Sequence, residues 1–239
     1  HLTYGSKRIV WWKCDEGPDH EWRTTPNART NPTQLQGCPF CAGKRVSVTN
    51  SLAARRPAVA RQWHPTRNGA WTPDRVVFGS KRKAWWKCPR GPDHEWRAGV
   101  TDRGRAGCPF CSQRRVSVTN CLATLAPQVA RQWHPTRNRR LTPRHVTPGS
   151  TRLVWWKCDA GADHEWRATV QNRAREFTAC PYCVNRKVSA TNNLAVLAPD
   201  IAREWHPTKN GKLRPSDTVP GRQKRYWWLC GRDPRHEWQ

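Results

Sequence analysis

Cysteine and histidine recur in a fixed order along the chain. Cys14 is followed six residues later by His20, and then by a Cys-x2-Cys pair, Cys38 and Cys41. Cys88, His94, Cys108 and Cys111 repeat that order, as do Cys158, His164, Cys180 and Cys183. Three thiolates and one imidazole form a complete tetrahedral donor set for Zn²⁺. The Cys-x2-Cys pair has ordinary zinc spacing, whereas the Cys-x5-His knuckle is longer than the usual two-to-four. Disulfides and thiol redox chemistry are the competing readings. The Cys count is 11, an odd number, and His recurs in phase with the thiols, so metal is favoured. Cys230 and His236 form half of a fourth set. Cys121 aligns with Ser51 and Asn193 and is expected to be a plain packing cysteine. His64, His134 and His206 are alternative fourth ligands. The knuckle histidines already complete each set, so packing or hydrogen bonding is the expected role of these three.

The elements that must position these ligands follow from a repeat. Trp-Trp-x-Cys occurs at Trp11, Trp85, Trp155 and Trp227, each followed by His-Glu-Trp. Cys-Pro-x-Cys follows in the first three copies, then Trp-His-Pro-Thr-[Arg/Lys]-Asn at Trp63, Trp133 and Trp205. Each Cys-Pro-x-Cys starts 25 residues before its Trp-His-Pro tryptophan, which lies 25 residues before the next knuckle Cys. Only the interval from knuckle Cys to Cys-Pro-x-Cys varies, at 24, 20 and 22 residues. Steps of two preserve which side chains face the core of a hairpin. The variable part, around Thr30 to Gln34 in the first copy, is therefore expected to be a hairpin tip in solvent. The periodicity gives repeats over 1–78, 79–148 and 149–220, and a partial fourth over 221–239, where the turn is altered to Gly221-Arg222-Gln223.

Each Trp-Trp segment reads as the first strand of a hairpin with the knuckle as its turn, and Glu-Trp-Arg begins the return strand. Thr49 or Asn50 is expected to cap a short helix. Pro57 suits the first turn of a second helix, with Val59 and Trp63 on one face. Pro127 with Val129 and Trp133, and Pro199 with Ile201 and Trp205, repeat this pattern. The expected fold is a set of small α+β zinc modules, tandem treble-clef or zinc-ribbon-like repeats. In each, a knuckle and β-hairpin precede Cys-Pro-x-Cys and short helices. The 16 tryptophans supply core where hydrophobic residues make up only 36% of the chain. Modules this small need metal or disulfide support.

The combination Trp-x-Cys, His-x-Trp, Cys-Pro-x-Cys and Trp-His-Pro-x-x-Asn resembles a repeated zinc-ribbon or treble-clef family of bacterial and large-virus proteins. The resemblance covers nearly the whole chain. It implies structural zinc and nucleic-acid binding, sometimes beside endonuclease-like modules.

Lys and Arg number 43 against 17 Asp and Glu, a formal charge of +26. That excess points to a polyanionic partner. No run approaches the roughly 20 apolar residues of a membrane span. His1-Leu2-Thr3-Tyr4-Gly5 lacks the apolar core of a signal peptide, so a cytoplasmic location is expected. The basic residues recur at fixed repeat positions. Lys7, Arg8, Lys81, Arg82 and Arg152 follow a Gly-Ser turn. Lys44, Arg45, Arg114, Arg115, Arg186 and Lys187 follow Cys-Pro-x-Cys. Arg61, Arg131 and Arg203 precede the Trp of Trp-His-Pro, and Arg67, Arg137 and Lys209 precede an Asn. Together they suggest a phosphate-contacting stripe. Asn68, Asn138 and Asn210 are candidates for adenine edges, with a turn-forming role as the alternative. Trp71, present only in the first repeat, is the candidate for stacking on a base.

The expected function is a non-catalytic nucleic-acid-binding array, with duplex DNA preferred to RNA. A protein-interaction or structural array in a nucleoprotein assembly is the second class. A nuclease-associated module is the third, prompted by Asp19-His20-Glu21 and its equivalents. It is disfavoured because the metal needs each of those histidines.

Overall fold

Each Trp-Trp-x-Cys segment is a strand that pairs with the Glu-Trp strand after its knuckle. In the computed structural model, which describes every residue except Gln34, Glu176, Phe177 and Arg222, these make four antiparallel two-stranded sheets. They are β1 (Val10–Lys13) with β2 (Glu21–Thr24), β3 (Lys83–Lys87) with β4 (Glu95–Gly99), β5 (Leu153–Lys157) with β6 (Glu165–Thr169), and β7 (Trp228–Leu229) with β8 (Glu237–Trp238). The register sets the second Trp of each pair opposite the Trp of the return strand: Trp12 with Trp22, Trp86 with Trp96, Trp156 with Trp166, Trp228 with Trp238. Aromatic cross-strand pairs stabilise a hairpin, but two strands alone are marginal in water. The remaining stability must come from metal and from helices.

The variable interval is not a second hairpin. The return strand leads into a short helix at a constant distance from the knuckle: α1 (Pro26–Thr30), α4 (Val100–Arg105) and α7 (Val170–Arg175). The length variation falls between that helix and Cys-Pro-x-Cys, where the described residues form no strand. Without a strand there, the even steps have no register meaning. Gln34, Glu176 and Phe177 of these intervals, and Arg222 of the altered fourth turn, lie outside the described residues.

After each Cys-Pro-x-Cys come two short helices and a 3-10 turn. In the first copy these are α2 (Leu52–Arg55), α3 (Pro57–Ala60) and Pro73–Arg75. In the second they are α5 (Leu122–Leu125), α6 (Pro127–Arg131) and Pro143–His145, and in the third α8 (Leu194–Leu197), α9 (Pro199–Arg203) and Pro215–Asp217. The proline opens α3, α6 and α9 as expected. The cap of the preceding helix is Ser51, whose side chain accepts from the Ala54 N–H, rather than Thr49 or Asn50. Asn193 does the same for α8.

The chain divides into two compact units, His1–Ser117 and Val118–Gln239. The main core of the first joins Leu52 and Val76 to Ala84, Trp86, Cys88, Trp96, Val100, Cys108 and Phe110. Val59, Ala60, Trp63 and Trp71 pack against it. The second unit repeats this with Leu122, Val129, Val146, Val154, Trp156, Trp166, Val170, Ala174 and Cys180. In both, the helices of one sequence repeat pack on the hairpin of the next. The first hairpin has a much smaller cluster, Trp22, Cys38 and Phe40, with Trp12 and Cys14 against it. The repeat boundaries at 79, 149 and 221 remain a proposal about sequence periodicity. Among the described residues, no helix is long and apolar enough to cross a membrane.

Candidate metal centres

The hairpin turn brings Cys14, at the end of β1, and His20, at the start of β2, to one end of the sheet. The Cys14 N–H donates to the His20 carbonyl at 3.1 Å, and the His20 N–H to the Gly17 carbonyl at 3.2 Å. The second pair sits in a tight turn closed by Ala42 N–H on the Cys38 carbonyl at 3.0 Å. Three clusters result: Cys14, His20, Cys38 and Cys41; Cys88, His94, Cys108 and Cys111; Cys158, His164, Cys180 and Cys183. In each, the four ligand atoms lie within 4.8 Å of one another.

The separations have the shape that zinc requires. Tetrahedral Zn²⁺ with ordinary bond lengths has S···S edges of about 3.8 Å and S···N edges of about 3.5 Å. Cys14 and Cys41 Sγ are 3.7 Å apart, Cys88 and Cys111 3.8 Å, Cys158 and Cys183 3.7 Å. His Nδ1 lies 3.7 and 3.5 Å from the Cys38 and Cys41 sulfurs. The values are 3.7 and 3.6 Å in both the second and third centres.

Nδ1 is the ligating nitrogen because Nε2 is engaged elsewhere. His20 Nε2 is 3.1 Å from Ser47 Oγ and 2.9 Å from Thr49 Oγ1. His164 has the same pair in Ser189 and Thr191, and His94 has Ser117. Such outer hydrogen bonds fix the tautomer and ring orientation of a ligand histidine. The aromatic residue inside Cys-Pro-x-Cys stacks on the ring: Phe40, Phe110 and Tyr182, at 5.1, 5.0 and 5.0 Å between centroids. The ring's other neighbour is the knuckle glycine. A Cβ at Gly17, Gly91 or Gly161 would stand 2.6 Å from the imidazole.

The thiols themselves register the crowding. Burial, followed by the neighbouring Cys38 and Cys14, pushes Cys41 up to about 12. Cys111 rises to about 11 and Cys183 to about 12 for the same reasons. Burial also pushes Cys38 upward, but the N–H groups of Cys41 and Phe40 and the adjacent thiols outweigh it and lower it. Three clustered thiolates form together only when a divalent cation offsets their charge. A Cys3His zinc centre still carries one net negative charge. Arg103 and Arg173 are buried beside the second and third centres. Burial pulls each guanidinium below its usual value, while the nearby cysteine sulfurs act in the opposite direction. The Ser-x-Thr pair, the knuckle Gly and this Arg were visible as repeat positions, but their types alone did not mark them as part of the site.

His64, His134 and His206 lie outside the metal clusters. Their Nδ1 atoms accept backbone N–H groups from Thr66 and Arg67, Thr136 and Arg137, Thr208 and Lys209. Their Nε2 atoms face Glu95 at 3.2 Å, Glu165 at 3.1 Å and Glu237 at 2.9 Å. Arg67, Arg137 and Lys209 reach the same three carboxylates, and each also lies over a tryptophan ring. Lys87 also reaches Glu95, at 3.2 Å. Together these contacts lower the carboxyls: Lys87 leads at Glu95, His134 at Glu165 and Lys209 at Glu237. Asp19 and Asp163 accept the N–H of Val48 and Ala190. The Asp-His-Glu triplet of the third repeat is thus occupied by loop closure, metal and ion pairing.

Asn68, Asn138 and Asn210 take the structural role. Each amide oxygen accepts the N–H of Trp85, Trp155 or Trp227 at 2.8 Å, and each amide N–H donates to that residue's carbonyl. Trp71 is half-buried, edge-on to Trp63, with Arg82 over its ring. Cys121 is buried and contacts Thr124 Oγ1 at 3.3 Å. In the fourth hairpin Asp233 occupies the position of Gly17. His236 is 69% exposed there, with Nε2 3.5 Å from Asp233, so Cys230 and His236 stay a pair without further ligands among the described residues.

The remaining cations are on the surface. Lys7, Arg8, Lys44, Arg45, Arg61, Lys81, Arg82, Arg114, Arg115, Arg131, Arg152, Arg186, Lys187 and Arg203 are all exposed. Arg203 pairs with Asp200, Arg115 lies over Phe110 and Lys187 over Tyr182.

A family pattern described as a probable treble clef zinc finger domain matches residues 1–44, 59–114, 129–186 and 201–239. The second and third matches take in a Trp-His-Pro segment together with the hairpin and Cys-Pro-x-Cys that follow it, the same association seen in the packing. No curated protein matched the chain.

Proposed function

We propose that this chain, which belongs to the family of probable treble clef zinc finger domains, binds nucleic acid, duplex DNA in preference to RNA, by neutralising phosphates. The observation that carries the reading is the +26 charge together with exposed cations that recur beside each centre. The metal modules themselves are non-catalytic binding units. Lys44 and Arg45, Arg114 and Arg115, and Arg186 and Lys187 follow the Cys-Pro-x-Cys turn and are the primary phosphate contacts. In the first unit Lys44, Arg75 and Arg82 line a common groove with Trp71. Arg67, Arg137 and Lys209 are assigned to their glutamates, and the three asparagines to their tryptophan backbones. The reading therefore gives them no base-reading role. A cytoplasmic location belongs to this proposal.

Two contacts from each of three centres would neutralise about six phosphates, so affinity should fall by about 10³-fold between 50 and 200 mM salt. Anisotropy titrations with duplex DNA, single-stranded DNA and RNA over that range test this. Arg114→Ala with Arg115→Ala should weaken binding to all sequences alike and flatten the salt slope by about 2. Absence of binding to all three at low salt would overturn the proposal.

A further inference from the structure

Phe78 stands on a fixed stretch of the first unit with its ring at the surface. The backbone around it is pinned to the entry of α2. The Val76 carbonyl accepts the Leu52 N–H at 2.8 Å, and the Phe78 N–H donates to the Asn50 carbonyl at 3.1 Å. Ser51 and Val77 form an antiparallel bridge between these two contacts. Val76 is buried, yet Phe78 is 37% exposed.

Two grooves meet at this ring. One, of about 530 Å³, is lined by Lys44, Arg75 and Arg82 together with Trp71. The other, of about 590 Å³, is lined by Arg56, Lys81 and Arg105. Phe78 and Gly79 border both. Each volume lies in the range of pockets that take small molecules. All of these cations are exposed, and Asp102 is the one acid in either lining. Arg55 lies over the Phe78 ring at 5.4 Å, and Arg82 over the Trp71 ring at 4.5 Å. A guanidinium laid on a ring is itself a flat platform on which a base can stack.

Only the first repeat has the residues for this. Trp71, Arg75 and Phe78 correspond to Leu141, His145 and Pro148 in the second repeat and to Leu213, Asp217 and Pro220 in the third. Arg56 and Lys81 correspond to Ala126 and Thr151, and to Ala198 and Gln223. The aromatic and its flanking cations are therefore not part of the common scaffold that holds the metal.

We propose that the two grooves at Phe78 hold unpaired nucleotides, with the Phe78–Arg55 stack between their bases and the groove cations on their phosphates. The inference rests on nucleic-acid binding as read above and adds a second kind of ligand to it. A duplex keeps its base faces within its own stack, so an exposed ring finds none to meet. An unpaired strand exposes those faces, and stacking on them tolerates any sequence. The order of cationic groove, ring and cationic groove follows the order of phosphate, base and phosphate along such a strand.

The test titrates the whole chain, at one salt concentration, against a labelled blunt duplex and the same duplex with a tail of about six unpaired nucleotides. The tail is oligo-deoxythymidine in one arm and oligo-uridine in the other. A tail should tighten binding about tenfold or more, and the arm with the larger gain names the polynucleotide. Phe78→Leu keeps the apolar bulk without the ring. It should abolish the gain and leave the blunt duplex unchanged, and Phe78→Tyr should keep the gain. Binding of the blunt duplex with no gain from either tail would overturn the site and leave the duplex reading standing. A gain that survives Phe78→Leu would place the unpaired strand elsewhere and overturn the site. So would loss of the gain in Phe78→Tyr, whose ring still stacks. A gain from tails without binding of the blunt duplex would uphold the site and overturn the duplex reading. If nothing binds, both fall.

Discussion

A histidine that ligates through Nδ1 needs its ring pinned on every side, and three neighbours do this. Ser47 holds the far nitrogen of His20, Phe40 covers one face, and Gly17 leaves room for the other. A methyl group at the glycine would stand 2.6 Å from the ring in each centre. Gly91→Ala should therefore displace His94 and reduce zinc affinity by about 10–100-fold, the usual cost of disturbing a ligand's outer support. A competition titration against a chromophoric chelator would measure it; unchanged affinity would show that the knuckle yields without cost. The first twelve ligands could be read from sequence because thiol and imidazole spacing is itself chemistry. The outer residues could not, because Ser, Gly and Phe have many structural uses. Asp233 shows the value of knowing them. A knuckle that looked like half of a zinc site by Cys230 and His236 has a side chain where the other three need none.

At the scale of elements, hairpins, proline-opened helices and their apolar faces were legible from Trp-Trp, Pro-x-Val and Trp-His-Pro spacing. Two features were not. The even length steps suggested a hairpin tip, yet the variation lies after α1, α4 and α7, where the described residues form no strand. The Asn of Trp-His-Pro-Thr-[Arg/Lys]-Asn was open between reading a base and forming a turn; its amide caps the edge of the following strand, a long-range partner that local spacing does not reveal. The two kinds of interval should differ in tolerance. Removing one residue from 31–33 shortens only a surface loop and should cost under about 1 kcal/mol, since loop closure depends weakly on length. Removing one residue between Cys38 and Trp63 shifts Leu52 and Trp63 against the next hairpin and should cost about 3 kcal/mol or more. Equal losses in thermal denaturation would contradict the assignment of fixed and free segments.

Over the whole molecule, the three centres have equivalent ligands but unequal surroundings. The second and third are each built into a core that includes Leu52 or Leu122, a fully buried Trp and the return helix. The first rests on Trp22, Cys38 and Phe40 beneath an uncovered strand. Structural zinc supplies about 10–16 kcal/mol to a small module, as much as the whole net stability of an ordinary domain. Each ion should therefore act as the keystone of its own surroundings, and the chain should hold three. Cys38→Ser should remove one ion and disturb little beyond the first hairpin. Cys108→Ser should also remove one ion, but it should release α2, α3 and the hairpin that Trp63 covers, with a far larger loss of protected amides. A chelator should empty the first centre before the other two, because the buried cluster around it is the smallest. Native mass spectrometry during chelation, paired with hydrogen exchange on both variants, would follow the order. Loss of the first ion last, or equal exchange in the two variants, would show that the covering segments do not hold the metal.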